Sequence, residues 1–155
     1  VFARIHTFGK ALGCHGAIVL GANLLRNYLI NFARSFIYTT ALSPHAILQI
    51  KTAYEHLAVS QTEQHKLHQL IHYFLQQRFS DLEFVSSSSQ IQCIIYHGNK
   101  NVKAMARQIQ EKNIDVRPIL SPTVPKGKER LRICLHSYNT PNEIDMLMTI
   151  LKEKN

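Results

Sequence analysis

Thr7-Phe8-Gly9-Lys10-Ala11-Leu12-Gly13-Cys14-His15-Gly16-Ala17 sets one lysine among glycines, with a threonine three residues before it and the apolar run of residues 17–20 behind it. Glycines so dense are costly inside a helix or strand. They are useful where backbone must come close to a ligand. A lysine on such a loop, sheltered by apolar neighbours, can lose its proton and act as an amine nucleophile toward a carbonyl. By itself the stretch also fits a Gly-rich turn with a surface lysine. It does not fit a P-loop: no Gly stands five residues before Gly9, and Ala11 rather than Ser or Thr follows the lysine.

The chain has 155 residues, 45% of them hydrophobic and 18% charged. That is enough for a domain with its own core, and it is unlike a disordered or fibrous chain. No apolar run reaches the roughly 20 residues of a spanning helix, so no membrane partner is expected. No basic segment followed by a long apolar one opens the chain, so no signal peptide is expected either. Val1 rather than Met comes first, and the lysine loop follows at once, which reads as the later part of a longer protein. Cys14, Cys93 and Cys134 are odd in number and lack C-x-x-C spacing. Neither disulfides nor structural zinc is expected, and a cytoplasmic location fits. Cys93 lies in an apolar run and reads as core; Cys14 lies on the loop with no identifiable base.

The formal charge of +8 raises the question of nucleic acid. The basic residues are scattered, and no aromatic–basic interleaving of the kind that stacks bases is present. No nucleic-acid partner is expected. Attraction of a phosphorylated small substrate is a second use for the charge. His65, His68 and His72 share one side of a helical pattern, opposite Leu67, Leu70, Ile71 and Phe74, with no acidic residue to complete a site. No metal is expected there.

Along the chain, residues 17–20 read as a strand and 23–33 as a helix with Leu24, Leu25, Tyr28, Leu29 and Phe32 on one face. Residues 36–40 are short and β-prone. Ser43-Pro44 starts a helix, and Ser60-Gln61-Thr62-Glu63 has the form of a capping box that starts another. Residues 86–89 are a polar connector. From there the pattern becomes α/β: a strand over 91–96, a helix after Gly98-Asn99 with Val102, Met105, Ala106 and Ile109 inward, and an extended stretch at 116–120. Leu131, Ile133 and Leu135 then alternate with Arg132, Cys134 and His136 as a half-buried strand. Thr140-Pro141-Asn142-Glu143 caps a last helix that buries Ile144, Leu147, Met148 and Leu151.

Three motifs stand in order: Thr-x-Gly-Lys-x-x-Gly at residues 7–13, Asn31-Phe32-Ala33-Arg34-Ser35-Phe36-Ile37-Tyr38-Thr39-Thr40, and Pro122-Thr123-Val124-Pro125-Lys126-Gly127-Lys128-Glu129-Arg130-Leu131-Arg132. Over nearly the whole chain they resemble the α-oxoamine synthases, fold-type-I enzymes that use pyridoxal 5'-phosphate to join an amino acid to an acyl-CoA. The resemblance implies an α/β fold. Residues 1–43 would close a large cofactor-binding domain, and residues 44–155 would form a small C-terminal α/β domain with a mainly antiparallel sheet flanked by helices.

It also implies roles. Lys10 would hold pyridoxal 5'-phosphate as a Schiff base and act as general base. Thr7 would hydrogen-bond the cofactor phosphate, and Thr40 would reach the phosphate of the partner subunit's cofactor in a homodimer. Arg132 would bind the amino-acid carboxylate, since a guanidinium fork suits two-point capture of that group. The loop of residues 121–128 would lie beside the acyl-CoA. From the residues alone, Thr7 and Thr40 read as strand or turn threonines and Arg132 as a surface arginine.

The run at 32–40 leans toward condensation of L-alanine with pimeloyl-CoA in biotin synthesis. The pairs handled by 2-amino-3-ketobutyrate CoA ligase, 5-aminolevulinate synthase and serine palmitoyltransferase stay open, as does a non-catalytic α/β binding domain. The family's aspartate to the pyridine nitrogen, its ring-stacking histidine and its glycine-rich phosphate loop come before these motifs, so this segment alone is expected to be inactive.

Overall fold

The computed structural model describes residues 1–153, which fall into two compact units, residues 1–61 and residues from Thr62 onward. The first unit opens with β1 (Ala3–Thr7) and β2 (Ala17–Gly21), an antiparallel hairpin in the register Ala3↔Gly21 to Thr7↔Ala17. Two helices follow, α1 (Asn23–Phe32) and α2 (Pro44–Val59). The Ser43 hydroxyl accepts the Ala46 N–H at 3.2 Å and Pro44 takes the first turn, so α2 starts as its sequence requires.

Opposed residues share a face of the hairpin. Ile5 and Val19 share one face, while Ile18 and Leu20 lie on the other. All four are exposed within this chain. Apolar residues on both faces belong to a strand pair made to be covered twice. On α1, Leu24, Tyr28 and Phe32 are exposed in the same way. The one buried apolar side chain of the unit is Phe8, whose ring meets Tyr54 edge to face at 6.1 Å.

Two local expectations are corrected. Residues 36–40 form turns rather than a strand: the Phe36 and Ile37 N–H groups both donate to the Ala33 carbonyl at 2.9 Å. The Thr39 hydroxyl donates to the Ser35 carbonyl at 3.0 Å, and Tyr38 takes a φ of 58°. The orphan carbonyls at the end of α1 draw the chain back on itself before any strand can form. Ser60 does not build a capping box. Its hydroxyl donates to the His56 carbonyl at 2.7 Å and its N–H to the Leu57 carbonyl at 3.3 Å, closing α2. The next helix, α3 (Gln61–Gln76), still begins where expected. The compact units divide at 61/62, which puts α2 with the hairpin. The sequence division at 43/44 concerns the domains of a whole protein and remains a proposal.

The second unit continues from α3 with β3 (Ile91–Ile95), α4 (Asn99–Gln110), β4 (Arg117–Ile119), β5 (Arg130–Cys134) and α5 (Pro141–Lys152). Its sheet has the order β3-β5-β4, antiparallel throughout, with β5 in the middle. Helices cover one face, giving the small antiparallel sheet flanked by helices that the sequence implies. Leu131, Ile133 and Leu135 point into a core shared with Leu70, Ile71 and Phe74 of α3, the inward residues of α4, and Ile144, Leu147, Met148 and Leu151 of α5. Thr140 and Glu143 form the reciprocal capping box of α5. Asp145 accepts from the Tyr73 hydroxyl at 2.8 Å and from Gln77 Nε2 at 2.6 Å, tying α5 to α3.

Candidate functional site

The lysine loop is the connection of the β1–β2 hairpin. Thr7 ends β1 opposite Ala17. The Phe8 N–H donates to the Gly16 carbonyl and the Cys14 N–H to the Phe8 carbonyl, each at 2.9 Å. The Gly13 N–H donates to the Lys10 carbonyl at 3.0 Å, so Lys10 sits on the tip of a closed turn. Gly16 has a φ of 113°, and a β-carbon there would lie 3.2 Å from the Leu42 side chain. Both facts select glycine at this position. Buried Phe8 roots the turn while Lys10 stands exposed. The apolar shelter expected around this lysine is therefore absent from the residues that surround it in this unit.

Thr7 and Lys10 are three residues apart, the first at the end of β1 and the second on the turn that follows. Among the described residues, neither the Thr7 hydroxyl nor Lys10 Nζ has a hydrogen-bond or ion-pair partner in the chain. Thr40 is exposed on the segment before α2, in the same unit. Arg132 lies in the second unit.

Arg132 occupies the centre of β5, opposite Cys93 on β3 and Arg117 on β4. Paired residues face the same side of a sheet, so this row lies on the face away from the helices. The Arg132 side chain is half-buried, and its Nε is buried with no partner. A buried N–H left unpaired is costly; an arriving carboxylate would satisfy it. Burial pushes the Cys93 thiol up, against the opposing pull of Arg130 and Arg132. The thiol is therefore a packed neighbour of the guanidinium rather than a nucleophile.

Sequence reasoning missed Glu129. It is 2% exposed, and one carboxylate oxygen accepts the Gly98 N–H at 3.0 Å and the Gly127 N–H at 2.9 Å. These amides, the first at the start of α4, hold its carboxyl below the usual carboxylate range. The φ of 89° at Gly98 turns the chain so that its N–H points at the acid. His97 Nδ1 donates to the Gly127 carbonyl at 2.8 Å. At the other end of this loop, Asn99 pairs with the Ser121 backbone, its amide accepting at 2.9 Å and donating at 3.1 Å. The signal was in the alternation: Glu129 is in phase with Leu131 and Ile133, hence inward. Among the described residues, no group of three or more His, Cys, Asp or Glu is placed to hold a metal, and no helix is long and apolar enough to cross a membrane.

The donor set can be compared with pyridoxal 5'-phosphate. A primary amine on the turn and a hydroxyl at the end of β1, both without internal partners, match the aldehyde and the phosphate. A guanidinium with an unpaired buried N–H matches a substrate carboxylate. Lys10 and Thr7 fit the group.

The family model for class I and II aminotransferases matches residues 3–151. The chain is 46% identical to the 8-amino-7-oxononanoate synthase of Emericella nidulans, over 96% of this chain and 38% of that protein. It is 36% identical to the synthase of the same name from Photorhabdus laumondii, over 95% of this chain and 39% of that protein. The chain thus spans under two fifths of the length of these relatives. Among solved structures, the 8-amino-7-oxononanoate synthase of Francisella tularensis superposes with a TM-score of 0.84 at 30% identity, covering 99% of this chain and 45% of that one. A Sphingomonas wittichii serine palmitoyltransferase superposes with a TM-score of 0.80 at 18% identity, over 99% and 39% of the two chains, and shares the fold.

Proposed function

The chain belongs to the class I and II aminotransferase family, and on that premise we propose that the protein is a pyridoxal-phosphate-dependent acyltransferase that condenses L-alanine with pimeloyl-CoA. The products are 8-amino-7-oxononanoate, CoA and CO2. The observation that carries the reading is the 46% identity to an 8-amino-7-oxononanoate synthase along nearly the whole chain. The free amine on the lysine turn, the free hydroxyl at the end of β1 and the unpaired guanidinium on β5 support it.

When bound, the cofactor supplies an aldehyde that condenses with amines and a ring that draws off electron density from the amino acid's α-carbon. Lys10 would hold it through Nζ, and the same amine is the base available for the substrate's α-proton. Thr7 would donate its hydroxyl to the phosphate. Thr40 would do so toward the second subunit of a homodimer. Arg132 takes the alanine carboxylate at two points, which fixes the α-carbon for attack on the thioester carbonyl. The thioester C–S bond breaks and CoA leaves as its thiol. The resulting β-keto acid loses its carboxylate as CO2, and the α-carbon is reprotonated.

The test uses the whole protein. CoA should be released from pimeloyl-CoA only when L-alanine is present. Borohydride should fix the cofactor to the peptide that contains Lys10. Faster turnover of glycine with acetyl-CoA or succinyl-CoA, or of serine with palmitoyl-CoA, would replace the substrate pair. Labelling of another lysine would end the assignment of Lys10.

A further inference from the structure

Arg132 is not the sole guanidinium on its face of the sheet. Arg117 stands directly opposite it across the β4–β5 pair, and Arg130 shares the face one row along. Like charges set opposite each other on neighbouring strands repel. Arg130 is partly engaged, its Nε donating to the Lys128 carbonyl at 3.0 Å. Arg117 is held by Asp115, Nε to Oδ1 and Nη2 to Oδ2, both at 3.1 Å. That two-point pair orients the guanidinium and uses two of its five N–H groups. Three remain, on an exposed side chain. The row of Arg117 and Arg132 therefore carries one carboxylate of the protein's own against two cations. A ligand with a single carboxylate would answer Arg132 and leave Arg117 over. A ligand set with two carboxylates, one at each end of a short chain, would answer both.

We propose that Arg117 is a specificity-determining residue of the acyl site. Its guanidinium takes the far carboxylate of a dicarboxylic acyl-CoA while Arg132 takes the carboxylate of the amino acid. The inference rests on the reading proposed above and deepens it, by naming the residue that separates a dicarboxylic thioester from a plain fatty one. The β-carbons of directly opposed residues start about 5 Å apart. Both side chains are long, so the two guanidiniums can spread to anions separated by a few methylenes.

The experiment compares pimeloyl-CoA with heptanoyl-CoA, of equal chain length but without the far carboxylate, in the whole enzyme and its Arg117→Ala variant. Arg117 is exposed and outside the core, so the variant folds; the KM for L-alanine serves as internal control. For pimeloyl-CoA the KM should rise by roughly tenfold or more, the loss expected for a charge-assisted contact. Heptanoyl-CoA and L-alanine should change by less than about twofold. Arg117→Glu should reject pimeloyl-CoA further and leave heptanoyl-CoA unharmed. An equal loss on both thioesters, no loss on either, or a loss confined to L-alanine overturns the assignment while the function stands. A wild-type enzyme that turns over other acyl-CoA esters but not pimeloyl-CoA overturns the substrate pair itself, and the role of Arg117 with it.

Discussion

Replacing Arg132 by alanine should separate substrate binding from folding. Nothing of the core is lost, because Arg132 points away from the face that carries Leu131 and Ile133. Its buried Nε has no partner in the chain, so the change breaks no hydrogen bond of that atom and removes an unsatisfied donor. The melting temperature should stay the same or rise slightly. Binding should respond far more. A carboxylate deprived of a sheltered two-point guanidinium contact loses on the order of 2–4 kcal/mol. At about 1.36 kcal/mol per factor of ten, that is roughly 30- to 1,000-fold in kcat/KM for the amino acid. Arg132→Lys should recover a part, since an ammonium cannot reproduce the fork. The assay is the amino-acid dependence of turnover in the whole enzyme at saturating acyl-CoA, beside thermal unfolding of the same preparations. An Arg132→Ala enzyme with the wild-type KM for L-alanine would refute the placement of the substrate carboxylate on this strand. A large fall in melting temperature would refute the reading of its structural neutrality.

Leu131→Ala, one residue away but fully buried, should show the opposite pattern, losing about 2–5 kcal/mol of stability in denaturant unfolding; a smaller loss would mean the core collapses around the gap. Thr140→Ala removes the hydroxyl that accepts the Glu143 N–H and should cost about 1 kcal/mol, read by the same method, with an unchanged midpoint counting against the cap. Glu129, Glu143 and Asp145 all have carboxyls held below their usual range, by backbone amides at Gly98 and Thr140 and by Gln77 respectively. A depressed folded value contributes stability that is present above the unfolded value and lost as pH falls through the folded one. Melting temperature should therefore hold above about pH 5 and fall below about pH 4, less steeply in Asp145→Asn; an identical slope in that variant would exclude Asp145 as a contributor.

The second unit was legible because its signals are local and agree with one another. Thr140 and Glu143 cap α5 as their spacing requires, and the inward residues of α4 are those of its apolar stripe. The Leu-Arg-Ile alternation placed Arg132 on the face away from the core before any coordinates did. Ser60 misled because its box competes with the open carbonyl end of α2, and the hydroxyl serves the helix behind it. Residues 36–40 misled because their apolar side chains suggest a strand while the end of α1 turns them. Glu129 was passed over although its phase with Leu131 marks it as inward. A lone acid in an inward phase is explained only once its amide partners are known, and one of them, Gly98, lies 31 residues away in the chain. The exposed Lys10 departs from the sheltered amine read from its loop, because apolar spacing says nothing about which atoms of a larger protein supply the cover.

The loop of residues 121–128 is anchored at its first residue by Asn99 and near its end by His97 and Glu129. A loop moored at both ends gives up its conformational freedom when the chain folds. A ligand that docks against it then has no ordering left to impose, and this part of the association is free of the entropy cost that a floppy loop would add.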